Sequence, residues 1–362
     1  MIWILIFIIC SYLAIFIFIY VNLAGVRPFR PEKSNNIFVS VIIPARNESD
    51  NLPDLLESIS SQDYPSEFFE VIVVDDNSND RTFEIASNYT GIRNFKVLTN
   101  KGKGKKSALL TGVENASGEL VITTDADCRT GKSWISTVAS FYRVHKPDLI
   151  IGPVSLEPMK GFSGGFQELE FLSLQGVTAG SAVGGQPSMC NGANLAFTRE
   201  TYLKNADRIN PEEVSGDDMF LLQNIKKKKG SAIMWLESSE ATVVTKGKTS
   251  FLSFLKQRSR WISKAGKYND PFIVILGFVT FVTISAQLLL TGISFLRLSV
   301  LPLLLIFLAL KSVPDFLILN NTVGRYNKKH LMKWFVPSEI IYPLYVFAVI
   351  VYFLVKGKPE EF

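Results

Sequence analysis

Val121-Ile122-Thr123-Thr124-Asp125-Ala126-Asp127 is an apolar, β-rich run that ends in two carboxylates one residue apart. Side chains alternate along a strand, so residues i and i+2 share one side. If that geometry carries past the strand end, Asp125 and Asp127 face one space. Two anionic oxygen donors there suit a divalent cation carrying phosphates. Ligands of open α/β sheets gather outside the carboxyl ends of the strands. Alone, an Asp-x-Asp after a strand also describes a solvated turn, so the surrounding pattern has to decide.

Upstream, residues 38–43 read as a strand that ends in Pro44-Ala45-Arg46-Asn47-Glu48. Residues 51–60 then read as a helix, with Leu52, Leu55, Leu56 and Ile59 on one face. A second buried strand, 71–74, ends in Asp75-Asp76-Asn77-Ser78. A short helix over 82–89 and a third strand over 95–98 follow. Gly102-Lys103-Gly104-Lys105-Lys106 precedes a helix over 107–114, and 120–123 is the fourth strand. Strands alternating with helices predict an α/β domain with a mostly parallel, helix-covered sheet.

Downstream the pattern is less regular. Residues 161–185 are rich in Gly and Ser around an apolar, helix-like piece at 166–174. Met189-Cys190-Asn191-Gly192-Ala193-Asn194 leads into a strand over 195–198. Gly216-Asp217-Asp218 opens a helix over 219–225, and Lys226 to Lys229 form a basic run that reads as a solvated helix end. Residues 231–236 and 241–245 read as two more strands.

The chain has 362 residues, 47% of them hydrophobic, and a net charge of +5. Its mean hydropathy of +0.21 is high for a soluble enzyme, and the excess sits in the first stretch and the last quarter. That placement predicts membrane segments flanking a soluble domain. Residues 1–24 carry an uncharged apolar anchor of spanning length. Arg27, Arg30 and Lys33 follow it, so the positive-inside rule predicts a cytoplasmic domain over 37–250 in a bacterial-type inner or plasma membrane. Residues 251–268 read as an interfacial amphipathic helix that mixes aromatic and basic residues. Residues 271–355 read as about three further spans: a hairpin over 272–310 turning near 291–297, a cytoplasmic stretch over 311–333 with Lys311, Arg325, Lys328, Lys329 and Lys333, and a last span over 336–355. Lys356 and Lys358 would then lie outside, which the charge rule disfavours.

The modest positive charge next to apolar stretches favours an anionic membrane surface over nucleic acid. Cys10, Cys128 and Cys190 show no paired spacing, which predicts a reducing compartment without a disulfide framework. With only two histidines in the chain, a His-rich zinc site is not expected.

Four signals fall in one order: Asp76 after the second strand, the pair Asp125 and Asp127, the acidic pair Asp217 and Asp218 at a helix start, and Gln257-x-x-Arg260-Trp261. This order resembles the membrane-bound family 2 glycosyltransferases with a GT-A fold, the branch of cellulose- and hyaluronan-synthase-like and ceramide-glucosyltransferase-like enzymes. The resemblance covers roughly residues 39–261. It departs at Asp217, where the polysaccharide synthases usually carry Glu.

The resemblance implies an inverting, metal-dependent hexosyltransferase. It would move a sugar from a nucleoside-diphosphate donor, a UDP-sugar, to a membrane lipid or lipid-linked glycan. It implies Asp127, with Asp125, as ligands of Mg2+ or Mn2+, and Asp125 also near the ribose and diphosphate. Asp76 would contact base and ribose, Pro44, Arg46 and Glu48 would wall the nucleotide, and Lys105 would meet uracil or phosphate. Asp218 would be the general base, with Asp217 beside it. Gln257, Arg260 and Trp261 would serve the acceptor and the leaving diphosphate, and Asn194 would help to shape the sugar pocket. Two other readings stand beside this one: a processive polysaccharide synthase, and a non-catalytic nucleotide-sugar-binding scaffold.

Overall fold

A computed structural model describes residues 2–31, 36–206, 216–228 and 230–357. Lys33, Lys229 and Lys358, which entered the charge reading, lie outside the described residues. The chain divides into two compact units. One comprises Met1–Val26, Pro158–Ser188 and Gly247–Pro359, the other Arg27–Glu157 and Met189–Lys246.

In chain order the elements are α1 (Ile2–Gly25), β1 (Val39–Ala45), α2 (Leu52–Ser60), β2 (Phe69–Asp75), α3 (Thr82–Ser87), β3 (Phe95–Thr99) and α4 (Lys105–Glu114). There follow β4 (Leu120–Thr123), β5 (Cys128–Thr130), α5 (Trp134–His145), β6 (Leu149–Ile151), β7 (Val154–Leu156), α6 (Gly161–Val183), β8 (Leu195–Thr198) and α7 (Arg199–Ala206). The last are α8 (Asp217–Lys227), β9 (Ile233–Trp235), β10 (Val243–Thr245), α9 (Phe251–Ala265), α10 (Pro271–Leu296), α11 (Leu301–Arg325) and α12 (Phe335–Lys356).

The α/β unit is built on a seven-stranded sheet in the order β3-β2-β1-β4-β8-β6-β9. β1 and β2 are buried along almost their whole length, as expected of apolar strands covered on both faces. β1 pairs in parallel with β2 on one side and with β4 on the other. The chain thus builds outward from β1 to β2 and β3, then returns to lay β4 against the opposite edge of β1. That reversal makes the carboxyl ends of β1 and β4 the place where a ligand cleft opens. Pro44 is tolerated in this central strand because the β1–β4 register ends at Ile42↔Thr123, so its missing N–H costs no ladder bond there.

The sheet is mixed: β8 runs antiparallel to both β4 and β6. A second small sheet has the order β5-β10-β7. α5 carries Trp134, Ile135, Val138, Phe141 and Tyr142 into the core.

In the other unit, the Gly- and Ser-rich stretch forms one continuous 23-residue helix, α6. Small residues let its backbone approach neighbours closely. A Cβ on Gly180 would stand 2.3 Å from the Ile19 carbonyl oxygen of α1, and one on Gly176 would stand 2.4 Å from the Thr322 hydroxyl of α11. These contacts lie within the compact unit that holds 158–188 and the long helices.

Among the described residues, four helices are long and apolar enough to cross a membrane: Ile2–Gly25, Pro271–Leu296, Leu298–Arg325 and Lys329–Lys356. The hairpin breaks at Arg297, at the end of the turn expected near 291–297. Lys311 is a correction: it lies inside α11, not in a loop. Its ammonium is buried and bonded to Asp315 at 2.8 Å and to Glu339 at 2.7 Å. The Tyr12 hydroxyl completes the group by donating to Asp315 at 2.6 Å. Carboxylates one turn on and on a neighbouring helix offset the charge that the sequence rule had assigned to water.

Candidate active site

Pro44 at the end of β1, Thr123 to Asp125 at the end of β4, Lys105 and Leu109 on α4, Gly192, Leu195, and Asp217, Asp218 and Leu221 on α8 line one recess. It lies at the switch between β1 and β4. Asp125 has left the strand: its carbonyl accepts from the Cys128 N–H at 3.1 Å, closing a turn through Ala126 and Asp127. The two carboxylates therefore sit on a turn, not on alternating strand positions. Asp127 is partly buried, and its Oδ1 accepts a weak contact from the Cys128 thiol at 3.7 Å. Burial, with Asp125 and Asp127 nearby, raises that thiol well above its usual range, so Cys128 is no nucleophile.

Lys105 is the centre of charge. α4 begins at Lys105, two residues earlier than expected, with Gly104 as its cap at φ 86°. A Cβ there would strain this left-handed conformation. The Lys105 ammonium forms an ion pair with Asp125. Burial disfavours its charge, but Asp125, Asp217 and Asp218 together raise its pKa. Lys105 is therefore not a solvated loop lysine; it is the counter-ion of Asp125, with Asp217 and Asp218 close by.

Asp217 and Asp218 occupy the first turn of α8, capped by Gly216. Asp218 accepts from the Gly192 N–H at 3.0 Å and from the Met219 N–H at 2.8 Å, so its carboxylate is fixed at the recess wall. Asp217 is buried, and burial pushes its pKa up to about 6; Lys105 opposes the rise, while Asp218 and Asp125 add to it.

Asp76 is buried, and both its oxygens accept from the Gly104 N–H at 3.0 Å. Asn100 donates to it as well, and Arg46 pairs with it at 3.6 Å. Asp76 thus pins the loop that presents Lys105. Asn100, which the sequence did not single out, completes this tie; its only sequence signal was its place directly after a strand. Glu48 accepts from the Asn51 side chain at 2.6 Å. Asn194 lies in the scaffold: its amide donates to Pro153 and Ala241 at 2.8 Å and accepts from Trp134 at 3.0 Å.

Gln257, Arg260 and Trp261 lie together on α9 in the other unit. The Gln257 side chain accepts from Arg258 at 2.9 Å, and the Arg258 guanidinium lies 3.9 Å from the centroid of the Trp261 ring.

Among the described residues, no group of three His, Cys, Asp or Glu side chains stands ready to hold a metal ion. A cation here would take at most two protein carboxylates, Asp125 and Asp127, with phosphate oxygens completing its shell. That is how Mg2+ is commonly held, so the donor set fits a metal that arrives with a diphosphate.

The model of glycosyl transferase family 2 matches residues 40–205. Residues 40–205 belong to that family. Similar curated proteins include glycosyltransferase AglE of Haloferax volcanii, 34% identical over 140 residues, or 38% of this chain and 46% of that protein. Another is the undecaprenyl-phosphate 4-deoxy-4-formamido-L-arabinose transferase of Edwardsiella ictaluri, 44% identical over 94 residues, 25% of this chain and 29% of that one. The match thus spans less than half the length of these relatives. Among solved structures, mannosyltransferase PcManGT from Pyrobaculum calidifontis, in complex with GDP-Man and Mn2+, has a TM-score of 0.59 at 19% identity, covering 98% of each chain. That likeness shows the fold alone, a GT-A-like mixed sheet with helices.

Proposed function

We propose that this family 2 glycosyltransferase is membrane-embedded, and moves one sugar with inversion from a nucleoside-diphosphate donor to a membrane lipid or lipid-linked glycan. The observation that carries the reading is the meeting of Lys105, Asp125, Asp217 and Asp218 in one recess where β1 and β4 end. Pro44, Arg46, Glu48 and Asp76 form the nucleotide side of this reading, with a uridine donor expected. Asp127 and Asp125 would hold Mg2+ or Mn2+, which supplies positive charge to the departing diphosphate.

Asp218 takes the proton of an acceptor hydroxyl. The acceptor oxygen attacks the anomeric carbon from the face opposite the diphosphate. The new C–O bond forms as the bond to the diphosphate breaks, and a single displacement inverts the centre. Lys105 balances the carboxylates so that an anionic donor can approach. Gln257, Arg260 and Trp261 serve the acceptor side; a Trp face suits a sugar ring or lipid, and Arg suits phosphate. The four apolar helices support membrane anchoring, with residues 37–250 expected on the cytoplasmic side.

The test is a donor panel of UDP-glucose, UDP-N-acetylglucosamine and GDP-mannose, each with Mg2+ or Mn2+. The purified chain is given a total lipid extract supplemented with undecaprenyl phosphate. A lipid product heavier by one sugar is expected. A long polymer would favour the processive reading, and no turnover of any donor would favour the scaffold.

A further inference from the structure

The acceptor-side helix α9 carries two arginines two residues apart, and the structure treats them differently. Arg258 is 5% exposed. Its Nε donates to one oxygen of Glu170 on α6 at 2.9 Å, and its Nη2 donates to the other. The Tyr345 hydroxyl of α12 donates to the same carboxylate at 3.3 Å. The guanidinium plane lies 4.8 Å from the Phe254 ring centroid and 3.9 Å from that of Trp261. Phe254 in turn stacks on Tyr345, with centroids 5.1 Å apart. Arg260 is only partly buried and, among the described residues, its guanidinium makes no ion pair or hydrogen bond.

We infer that Arg258 is a positioning residue, a clamp that sets Gln257 and Trp261 for the acceptor while Arg260 is left to meet phosphate. This rests on the reading of Gln257, Arg260 and Trp261 given above. The physical case is that one planar group does three things at once. Its fork fixes α9 to Glu170, its Nη1 holds the Gln257 carbonyl oxygen, and its flat face seats the indole. Trp261 remains 38% exposed while so held. Lysine has neither the fork nor the face, so it cannot replace Arg258 in all three. A buried carboxylate that loses its partner is strongly unfavourable, so Glu170 and Arg258 hold each other in place.

The test uses the full chain in detergent. Trp261 emission is isolated by subtracting the spectrum of the W261F variant in each background. R258K and E170Q break the clamp from opposite sides. Both should red-shift Trp261 and raise its acrylamide quenching about twofold or more, because the stacked face is released. Each should also raise the half-saturating concentration of total lipid extract about tenfold, with the donor KM near the wild-type value. Trp261 emission unchanged in both variants overturns the clamp. R260A separates this from the underlying reading. It should lower transfer without moving Trp261 emission; wild-type transfer by R260A would overturn the acceptor role of the motif, while the emission result still decides the clamp.

Discussion

The ammonium of Lys105 is ion-paired with Asp125 and stands in the field of Asp217 and Asp218. One lysine on the first turn of α4 thus compensates carboxylates from the turn after β4 and from α8. Three anions meet there, and a donor bearing a diphosphate has to approach them. Net charge at the recess, more than any single contact, sets what it can hold.

Lys105→Met should therefore weaken donor binding. The variant leaves three carboxylates without their counter-ion, and the loss of a charge-assisted partner predicts about a tenfold rise in the Kd for UDP or GDP in the presence of Mg2+. Calorimetric titration of the nucleotide checks this. Unchanged or tighter binding would mean that Lys105 does not compensate the site.

Asp217 makes stability depend on pH. Its pKa stands at about 6 in the fold against 3.8 for an ordinary aspartate. Between those values the folded chain keeps a proton that the unfolded chain has released. Stability is thus fully present below the lower value and falls as pH rises through the window. The wild-type melting temperature should decline from pH 4 to pH 7 more steeply than that of D217N. Parallel curves for the two chains would remove this account of Asp217.

The close approach of α6 to α1 predicts an asymmetry among glycines. A side chain at Gly180 would meet the Ile19 carbonyl, whereas Gly277 on α10 has nothing within 4 Å. Gly180→Val should lose about 1–3 kcal/mol through overpacking, and Gly277→Ala should be neutral or stabilising. Thermal unfolding of the whole chain in detergent compares the two. Equal melting temperatures would mean that α6 does not depend on that contact.

Much of the α/β unit is legible from apolar, β-rich runs: β1, β2, β3 and β4 lie where such runs stand, and β4 and β8 match residue for residue. The three-residue strands β5, β6 and β7 are too short for alternation to mark them reliably. Only 166–174 of α6 reads as helix, because helix propensity penalises the Gly on either side; here tertiary packing wins, since only Gly admits Ile19 and Thr322 so close. The site aspartates are legible as chemistry but not as partners. Nothing in a Gly-Lys-rich loop says that Lys105 will fold back onto Asp125, and an Asn with three good roles, as Asn194 has, shows in sequence only as an Asn. Lys311 misled for a related reason: charge rules assume water, and its partner Glu339 is visible only once α11 and α12 pack.

The most direct measurement is the single-turnover rate of sugar transfer by D218N beside wild type, with nucleotide binding measured on the same preparations. Asp218 is already held by the Gly192 and Met219 N–H groups, so the amide should leave the recess standing. The account predicts a rate lower by ~10²–10⁴ with nucleotide affinity nearly intact. Transfer by D218N at the wild-type rate would contradict it.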